Sequence, residues 1–195
     1  MRKTIHKLII CLSLTISAAS SQAVGKEYET ATFAAGCFWG TEEFFRKIDG
    51  VISTEVGYTG GSTTNPKYDE MHDGHTAHAE SANIVFDQKK VSYEKLLEYF
   101  FKMHDPTTLN QQGNDVGNQY RSAIFYNSEK QKKEAVLFKE KVEKSKAWKK
   151  PIVTEITESK KFWSAEEYHQ KYLVKHPGGY DNHFLRKITF DNLKK

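Results

Sequence analysis

The amino-acid sequence predicts an α/β fold of the α+β kind, a two-layer sandwich of a mixed sheet and helices. Two observations support this prediction. Short runs of apolar and β-branched residues alternate with longer segments of helical periodicity, and their order through residue 126 is βαββαβ. This order is typical of a ferredoxin-like core, and a helix, a strand and a helix are expected to follow it as a C-terminal extension.

The first half of the core has clearly marked elements. Residues 31–34 are predicted to form a strand, and residues 37–48 a helix that ends at Gly50, because apolar residues recur along one side of that segment. Residues 51–58 are rich in β-branched residues and stop at a glycine pair, which indicates a second strand. The third strand is predicted at residues 82–87.

Serine caps mark the later helices. Ser92 precedes a segment whose apolar residues recur at helical spacing. Residues 121–126 are predicted as the fourth strand, and a capping box that begins at Ser128 opens a helix to about residue 146. Residues 152–157 alternate as a further strand, and residues 164–173 are predicted as the last helix.

The first 23 residues are predicted to be a secretory signal that is cleaved after Ala23. They begin with three basic residues, continue with an apolar stretch at residues 8–19 and end with small residues. The apolar stretch is too short to span a bilayer comfortably, so we expect export to the periplasm or the medium without a membrane anchor. Residues 24–195 then form a single domain with one core.

The net charge gives no support for a polyanionic partner. The whole chain carries 29 Lys and Arg against 25 Asp and Glu. Three of the basic residues and none of the acidic ones lie in residues 1–23, which leaves 26 against 25 and a net charge of about +1. Neither nucleic acid nor an anionic membrane is therefore expected as a partner.

Cys37 is the candidate nucleophile. Removal of the predicted signal with Cys11 leaves Cys37 as a lone thiol in an oxidising compartment. It lies where a predicted strand gives way to a helix, whose unpaired N–H groups and dipole are expected to lower the pKa of the thiol. Gly36 would allow a sharp turn, and Gly40 would leave room beside the sulfur. The alternative is that Cys37 is a buried, unreactive residue of the core.

Two long polar connections are predicted to meet Cys37. In a βαββαβ sheet the end of the first strand emerges at the same edge as the connections at residues 59–81 and 104–120. The candidate polar groups on these connections are Tyr68, Glu80, Asp115 and Tyr120. A carboxyl group and phenols beside a thiol suit a reaction in which a thiolate attacks and a positioned acid donates a proton. Partial burial beside an anionic sulfur is expected to raise the pKa of Glu80.

A cysteine hydrolase is the alternative within enzymes. His169 and His176 lie 132 and 139 residues after Cys37, a separation that suits the base of such an enzyme. A hydrolase needs a histidine hydrogen-bonded to the sulfur, whereas the reaction described above needs a positioned acid beside it. The side chain that faces Cys37 therefore distinguishes the two functions.

A non-catalytic exported binding domain, holding a metal through histidines, is the alternative from another class. His72, His75 and His78 recur every three residues, a spacing that would place three ligands on one face only in a helix. Asp73-Gly74 favours a turn instead, so no metal site is predicted.

Several motifs closely resemble the A-type peptide methionine sulfoxide reductases, in order over residues 30–180. They are Gly36-Cys37-Phe38-Trp39-Gly40, Gly57-Tyr58-Thr59-Gly60-Gly61, Asn65-Pro66-Lys67-Tyr68, His78-Ala79-Glu80, Asp115-Val116-Gly117-Asn118-Gln119-Tyr120-Arg121-Ser122 and Tyr168-His169-Gln170-Lys171-Tyr172-Leu173. The resemblance implies that residues 24–195 form one catalytic domain that reduces methionine-S-sulfoxide in exported proteins. Whether the free amino acid is also a substrate stays open.

The resemblance also implies a role for each candidate residue. Cys37 attacks the sulfoxide sulfur and becomes a sulfenic acid, while Glu80 protonates the sulfoxide oxygen. Tyr68 and Tyr120 hydrogen-bond that oxygen, and Asp115 orders a water molecule nearby.

The apolar part of the implied site is a pocket for the substrate methyl group, formed by Phe38 and Trp39. No cofactor or metal is implied, and a monomer is expected.

Two features depart from the family pattern. Ala77 stands where many relatives have Gly. Many relatives also carry one or two cysteines near the C-terminus that resolve the sulfenic acid as a disulfide, whereas residues 179–183 contain none. Recycling of Cys37 is therefore expected to need an external reductant, either a thioredoxin-like protein or a small thiol.

Overall fold

A six-stranded mixed sheet forms the centre of the structure, a computed structural model that describes residues 27–72 and 74–191. The predicted signal at residues 1–23 lies outside the described residues, and so does Asp73. The strands are β1 (Tyr28–Ala35), β2 (Val51–Thr59), β3 (Ala79–Asp87), β4 (Gln111–Gln112), β5 (Asp115–Val116), β6 (Ser122–Tyr126), β7 (Glu155–Glu158) and β8 (Trp163–Ser164). The helices are α1 (Phe38–Phe45), α2 (Tyr93–Met103), α3 (Glu129–Ser145) and α4 (Tyr172–Lys175), with two 3₁₀ turns at Tyr68–Met71 and Asn118–Tyr120.

The four central strands have the ferredoxin-like order β6-β1-β3-β2, with antiparallel neighbours throughout. β7 joins this core parallel to β6, and β8 joins it antiparallel to β2. The predicted α/β fold, with its mixed sheet and βαββαβ core, is confirmed. β4 and β5 form a separate two-stranded ribbon in the connection before β6.

The main core lies between the sheet and helices α1, α2 and α3. Ala31, Phe33 and Ala35 alternate along β1 and face this core, as period-2 burial requires. The Phe33 ring lies 5.4 Å from the ring of Phe45 on α1 and 5.0 Å from the ring of Phe100 on α2. Truncation of an aromatic ring buried in this way costs about 3 to 5 kcal/mol.

One edge of the sheet collects the segments that carry the candidate site. Ala35 at the end of β1 pairs with Ser122 at the start of β6. Thr59 at the end of β2 pairs with Ala79 at the start of β3. Both long connections therefore leave or enter the sheet beside the turn that holds Cys37, as predicted. We call this the Cys37 edge.

The predicted helix starts at Ser92 and Ser128 are confirmed. The Ser92 hydroxyl accepts a hydrogen bond from the N–H of Lys95 at 3.1 Å, and the Ser128 hydroxyl accepts one from Gln131 at 3.2 Å. α1 is shorter than predicted, because the helix ends at Phe45 and a turn leads to Gly50.

The last predicted helix, residues 164–173, is wrong for most of its length. Ser164 belongs to β8, residues 165–166 have no regular structure, residues 167–171 form a turn, and within the predicted range helix begins at Tyr172. The side chain of Gln170 explains the difference. Its amide accepts a hydrogen bond from the N–H of Val56 and donates one to the carbonyl of Val56, at 2.9 and 2.8 Å. These contacts with the edge of β2 hold the segment against the sheet and override its helical pattern.

No helix within residues 27–72 and 74–191 combines the length and the apolarity that crossing a membrane requires.

Candidate active site

Cys37 is the residue that caps the N-terminus of α1. Gly36 before it has a φ of +96°, which an L side chain rarely adopts, so the chain passes abruptly from β1 into α1. The side chain makes no capping hydrogen bond and is only 8% exposed, although the nearby N–H groups of Trp39 and Gly40 act to lower the pKa of the thiol. The thiol therefore lies in a nearly closed pocket at the first turn of the helix.

Glu80 places a buried carboxyl group beside this thiol. It is the second residue of β3, which lies between β1 and β2, and it is 1% exposed. Its Oε2 accepts a hydrogen bond from the N–H of Phe38 at 3.1 Å. Phe38 directly follows Cys37, so this bond holds the carboxyl group next to the sulfur. The sequence predicted a loop position for Glu80, and the strand holds it more rigidly.

The predicted lowering of the thiol pKa is wrong in sign. Burial raises the pKa of Cys37 well above its usual value, and the carboxylates of Glu80 and Asp115 raise it further. The N–H groups of Trp39 and Gly40 act in the opposite direction but do not outweigh burial. The resting thiol is therefore neutral at pH 7, and the amides of α1 stabilise the sulfur anion once it forms.

The pKa of Glu80 is raised, as expected, to about 8. Removal of the carboxyl group from water is the main cause, and the charge of Asp115 adds to it, while the N–H of Phe38 acts in the opposite direction. A carboxyl group with this pKa is largely protonated at pH 7. Glu80 can therefore donate a proton inside the pocket.

The two 3₁₀ turns bring both predicted phenols to the Cys37 edge. Tyr68 begins the first turn and Tyr120 ends the second. Burial raises the pKa of both hydroxyls, that of Tyr68 to about 12, and the next cause for each is the nearby Glu80. Both hydroxyls therefore stay protonated and can donate hydrogen bonds.

Asp115 reaches the site from the ribbon of β4 and β5. Its Oδ1 accepts a hydrogen bond from the Tyr180 hydroxyl at 3.0 Å, and its Oδ2 accepts one from the Asn182 amide at 2.9 Å. Its charge contributes to the raised pKa of Glu80 and of Cys37. The structure thus brings together all five predicted polar residues.

The two aromatics after the thiol have different surroundings. Phe38 is fully buried, with its ring 5.8 Å from Tyr58 and 5.0 Å from His169. Trp39 is partly exposed and stacks on Tyr172 at 3.8 Å. Trp39 therefore offers an accessible apolar surface beside the sulfur, and the methyl pocket stays a prediction.

Neither candidate histidine bonds the sulfur. His169 is buried, and its Nδ1 accepts a hydrogen bond from the indole N–H of Trp39 at 2.9 Å. His176 is exposed and lies against Tyr172. The group that faces Cys37 is the Glu80 carboxyl, which favours the reductase over the hydrolase.

The three closely spaced histidines do not converge. His78 is buried, with Nδ1 accepting from the N–H of Gly61 at 3.0 Å and Nε2 donating to the carbonyl of Thr63 at 2.8 Å. Both of its nitrogens therefore hold the loop that follows β2, while the ring of His72 meets the edge of Tyr68. In the part of the chain that the structure describes, no group of three or more His, Cys, Asp or Glu is arranged to hold a metal ion.

Sequence reasoning missed Glu166. Its two oxygens accept hydrogen bonds from the N–H of Tyr68 at 3.2 Å and from the hydroxyl of Tyr58 at 3.0 Å. It therefore fixes the turn that presents one of the two phenols. No local signal marks it, because it resembles any surface carboxylate of the helix that was predicted there.

The space beside Gly40 is occupied by other residues, whereas the sequence predicted that it would leave room beside the sulfur. A Cβ atom at Gly40 would lie 2.2 Å from Oδ1 of Asp181 and from Nδ1 of His183. The space left by Gly40 is thus filled by the C-terminal segment, residues 177–184. This segment was expected to matter only for its lack of cysteine.

Known proteins match this chain over most of its length. The sequence profile of the family described as peptide methionine sulfoxide reductase matches residues 29–194. Among curated proteins, the peptide methionine sulfoxide reductase MsrA of Methanosarcina acetivorans is 54% identical over 151 residues, which cover 77% of this chain and 80% of that protein.

Solved structures give the same result. The crystal structure of Mxr1 from Saccharomyces cerevisiae in reduced form has a TM-score of 0.78 and 39% identity, covering 84% of this chain and 94% of that chain. The structure of the same yeast protein in complex with Trx2 has a TM-score of 0.57 and 28% identity, covering 86% of this chain and 96% of that chain.

Proposed function

Because the chain belongs to the peptide methionine sulfoxide reductase family, we propose that it reduces methionine-S-sulfoxide by transferring the sulfoxide oxygen to Cys37. Membership makes the protein an oxidoreductase that acts on methionine sulfoxide. The stereochemistry, the sulfenic acid and the biological setting are parts of the proposal.

The observation that carries the proposal is the hydrogen bond from the N–H of Phe38 to Oε2 of Glu80. It holds a buried acid, with a pKa of about 8, next to the nucleophilic sulfur. A sulfoxide oxygen is a poor leaving group unless it is protonated while the sulfur is attacked. An acid that is still protonated at pH 7 meets this need.

The reaction balances with one thiol. Cys37 attacks the substrate sulfur as its thiolate, and Glu80 transfers its proton to the sulfoxide oxygen. The attack forms an S–S bond between Cys37 and the substrate sulfur. The protonated oxygen then passes to the Cys37 sulfur as the substrate S–O bond and the S–S bond break, and methionine leaves with its sulfur reduced by two electrons. Cys37 is oxidised by two electrons to a sulfenic acid, and the proton released by the thiol restores Glu80.

The neutral resting state suits this chemistry. A raised thiol pKa means that little thiolate forms before substrate arrives, while a thiolate and an ionised Glu80 would repel each other. The phenols of Tyr68 and Tyr120 stay protonated and would hydrogen-bond the sulfoxide oxygen. These donors stabilise negative charge on that oxygen as the sulfur is attacked.

A thioredoxin-type protein or a small thiol would return Cys37 to the reduced state. The yeast relative that was solved in complex with Trx2 supports a thioredoxin-type reductant. The thiol would attack the sulfenic sulfur, release water and form a mixed disulfide, which a second thiol then resolves.

Export places this reaction among secreted or periplasmic proteins, where it would repair oxidised methionine. The basic start, the apolar stretch and the small residues of residues 1–23 support this location. Cell fractionation of the full chain, with and without residues 2–23, tests it. Equal cytoplasmic retention of both forms would contradict export.

The assay for the proposed function compares the wild-type protein with Cys37→Ser. We expect the wild type to release methionine from peptide methionine-S-sulfoxide in the presence of a dithiol, and the R epimer to be inert. Cys37→Ser is expected to lose this activity and keep the fold, because serine is close in size. Turnover near the wild-type rate in Cys37→Ser would exclude Cys37 as the nucleophile.

A further inference from the structure

The C-terminal segment, residues 177–184, is tied to the Cys37 edge at several points. The Nε2–H of His183 donates to the carbonyl of Ala35 at 2.6 Å, two residues before the nucleophile. The N–H of Phe184 donates to the carbonyl of Met103 at 3.2 Å. The segment thus crosses the Cys37 edge between β1 and α2 and is held there by hydrogen bonds to both elements.

Two side chains of this segment hold both oxygens of Asp115. The Tyr180 hydroxyl donates to Oδ1. The two hydrogens of the Asn182 amide are shared among three acceptors, namely Oδ2, the carbonyl of Gln112 at 2.8 Å and the Tyr180 oxygen at 3.1 Å. The amide must present its NH₂ to Asp115, because a carboxylate only accepts hydrogen bonds. We call Tyr180 and Asn182 the C-terminal clamp.

The clamp acts on a carboxylate that would otherwise be free to turn away. Asp115 belongs to a ribbon of two short strands, and its neighbour Val116 is 71% exposed. Rotation of the Asp115 side chain toward water would remove its charge from Glu80 and Cys37. The two donors prevent that rotation, and because both are uncharged they leave the negative charge of Asp115 in place.

We propose that Tyr180 and Asn182 are positioning residues of the reductase, which hold the Asp115 carboxylate in place at the Cys37 edge. This inference rests on the proposed function. It assigns to the C-terminal segment of this chain a role that needs no cysteine.

The pH dependence of Glu80 involves the ionisable groups that interact electrostatically with it in the part of the chain that the structure describes. These groups are Cys37 at the start of α1, Tyr58 on β2, Tyr68 and Tyr120 on the 3₁₀ turns and Asp115 on β5. Of these, Asp115 is the one that the clamp holds. Loss of the clamp should therefore lower the pKa of Glu80, because a nearby like charge has moved away.

The test is the pH dependence of the single-turnover rate in Tyr180→Phe and Asn182→Ala. Tyr180 is 43% exposed and Tyr180→Phe removes one hydroxyl, so the fold is not at risk. We expect Asn182→Ala to slow the chemical step by about threefold above pH 8 and by less than twofold at pH 7, with little change in KM, because the variant Glu80 loses its proton at lower pH. The alkaline limb of the pH–rate profile of Asn182→Ala should move to lower pH by about half a pH unit or more. Tyr180→Phe should move this limb in the same direction by less.

A double-mutant cycle shows whether the clamp acts through Asp115. In an Asp115→Asn background there is no charge to hold, so Asn182→Ala should give no further shift of the alkaline limb. Tyr28→Phe, another exposed tyrosine, is the matched control and should leave the profile unchanged. An equal shift with and without the Asp115 charge would overturn the proposal.

Alkylation of Cys37 by iodoacetamide gives a readout that needs no reductase activity. The midpoint of its pH dependence should fall in Asn182→Ala, since Asp115 also raises the pKa of the thiol. Easier access would raise the alkylation rate without moving its midpoint. If the pH midpoint of alkylation were unchanged in both clamp variants, the proposed role of the clamp would be rejected, even if the wild type proved inactive. Shifted alkylation with an inactive wild type would support the clamp and reject the proposed function.

Discussion

At the scale of single residues, the proposed reaction depends on the proton of Glu80. The carboxyl group is buried, and its pKa of about 8 means that the acid is available at pH 7 and is lost as the pH rises through 8. We therefore expect the single-turnover rate to fall on the alkaline side with a midpoint near pH 8. Rapid-quench measurement of methionine release between pH 6 and 9.5 tests this expectation. A rate that rises steadily to pH 9.5 would mean that thiolate formation limits the reaction instead.

Replacement of Glu80 by Gln keeps the shape but removes the transferable proton. The chemical step should slow by roughly 100- to 10,000-fold, while substrate binding changes little. Glu42→Gln is the matched control, since Glu42 is also a buried carboxyl group but bonds Thr54 and the N–H of Lys171. An unaltered chemical step in Glu80→Gln would transfer the role of acid to Tyr68 or Tyr120.

The same carboxyl group should make stability depend on pH. Its pKa is 4.5 in the unfolded chain and about 8 in the folded protein, so the folded state binds the extra proton between these values. The free energy of unfolding should therefore fall as the pH rises from about 4.5 to 8, by on the order of 3 to 5 kcal/mol from this group. Urea unfolding at pH 5 and pH 8 checks this, with Glu80→Gln as reference. The expected result is that the variant gains stability relative to the wild type at pH 8; a pH-independent difference would contradict it.

At the scale of elements, α1 and the C-terminal segment pack closely against each other at Gly40. Gly40→Ala should favour the helix by about 1 kcal/mol, yet its Cβ would overlap Asp181 and His183. Because that overlap must be relieved by movement of the segment, we expect a net loss of stability of about 1 to 3 kcal/mol and faster proteolysis near the C-terminus. Thermal unfolding and limited proteolysis measure the two effects.

Ser92→Ala serves as the control for that experiment. It removes the cap of α2 and should cost about 1 kcal/mol, without exposing the C-terminal segment. A Gly40→Ala protein that is more stable than the wild type would show that the segment accommodates the methyl group.

At the scale of the whole molecule, the proposed mechanism requires one thiol to complete the oxidative half of the reaction alone. After removal of residues 1–23, Cys37 is the one cysteine left in the sequence, and it is 8% exposed. A single turnover without reductant should release one methionine and add one oxygen to the intact mass, and the product should react with a sulfenic acid probe. Mass analysis under non-reducing conditions tests this. A quantitative disulfide-linked dimer would mean that two chains resolve each other.

The sequence by itself determined the order of the core elements, the strand-to-helix junction at Cys37 and the meeting of both polar connections at one edge. These features depend on local periodicity, on capping residues and on the topology that the order of strands imposes. Motif order was enough to identify the family. The caps at Ser92 and Ser128 could also be predicted, because a hydroxyl and an N–H three residues later are close in any helix start.

The tertiary structure alone decided the protonation of the site and the place of the C-terminal segment. The pKa of Cys37 depends on how fully the pocket excludes water and on the proximity of Glu80, 43 residues away, and these outweigh the local effect of the helix. The contacts of Asp115 with Tyr180 and Asn182 span 65 and 67 residues. Residues 165–171 are not helical because Gln170 bonds the edge of β2, 114 residues earlier in the chain. Interactions at such separations leave no periodic trace in the sequence, since they depend on which surfaces the finished fold brings together.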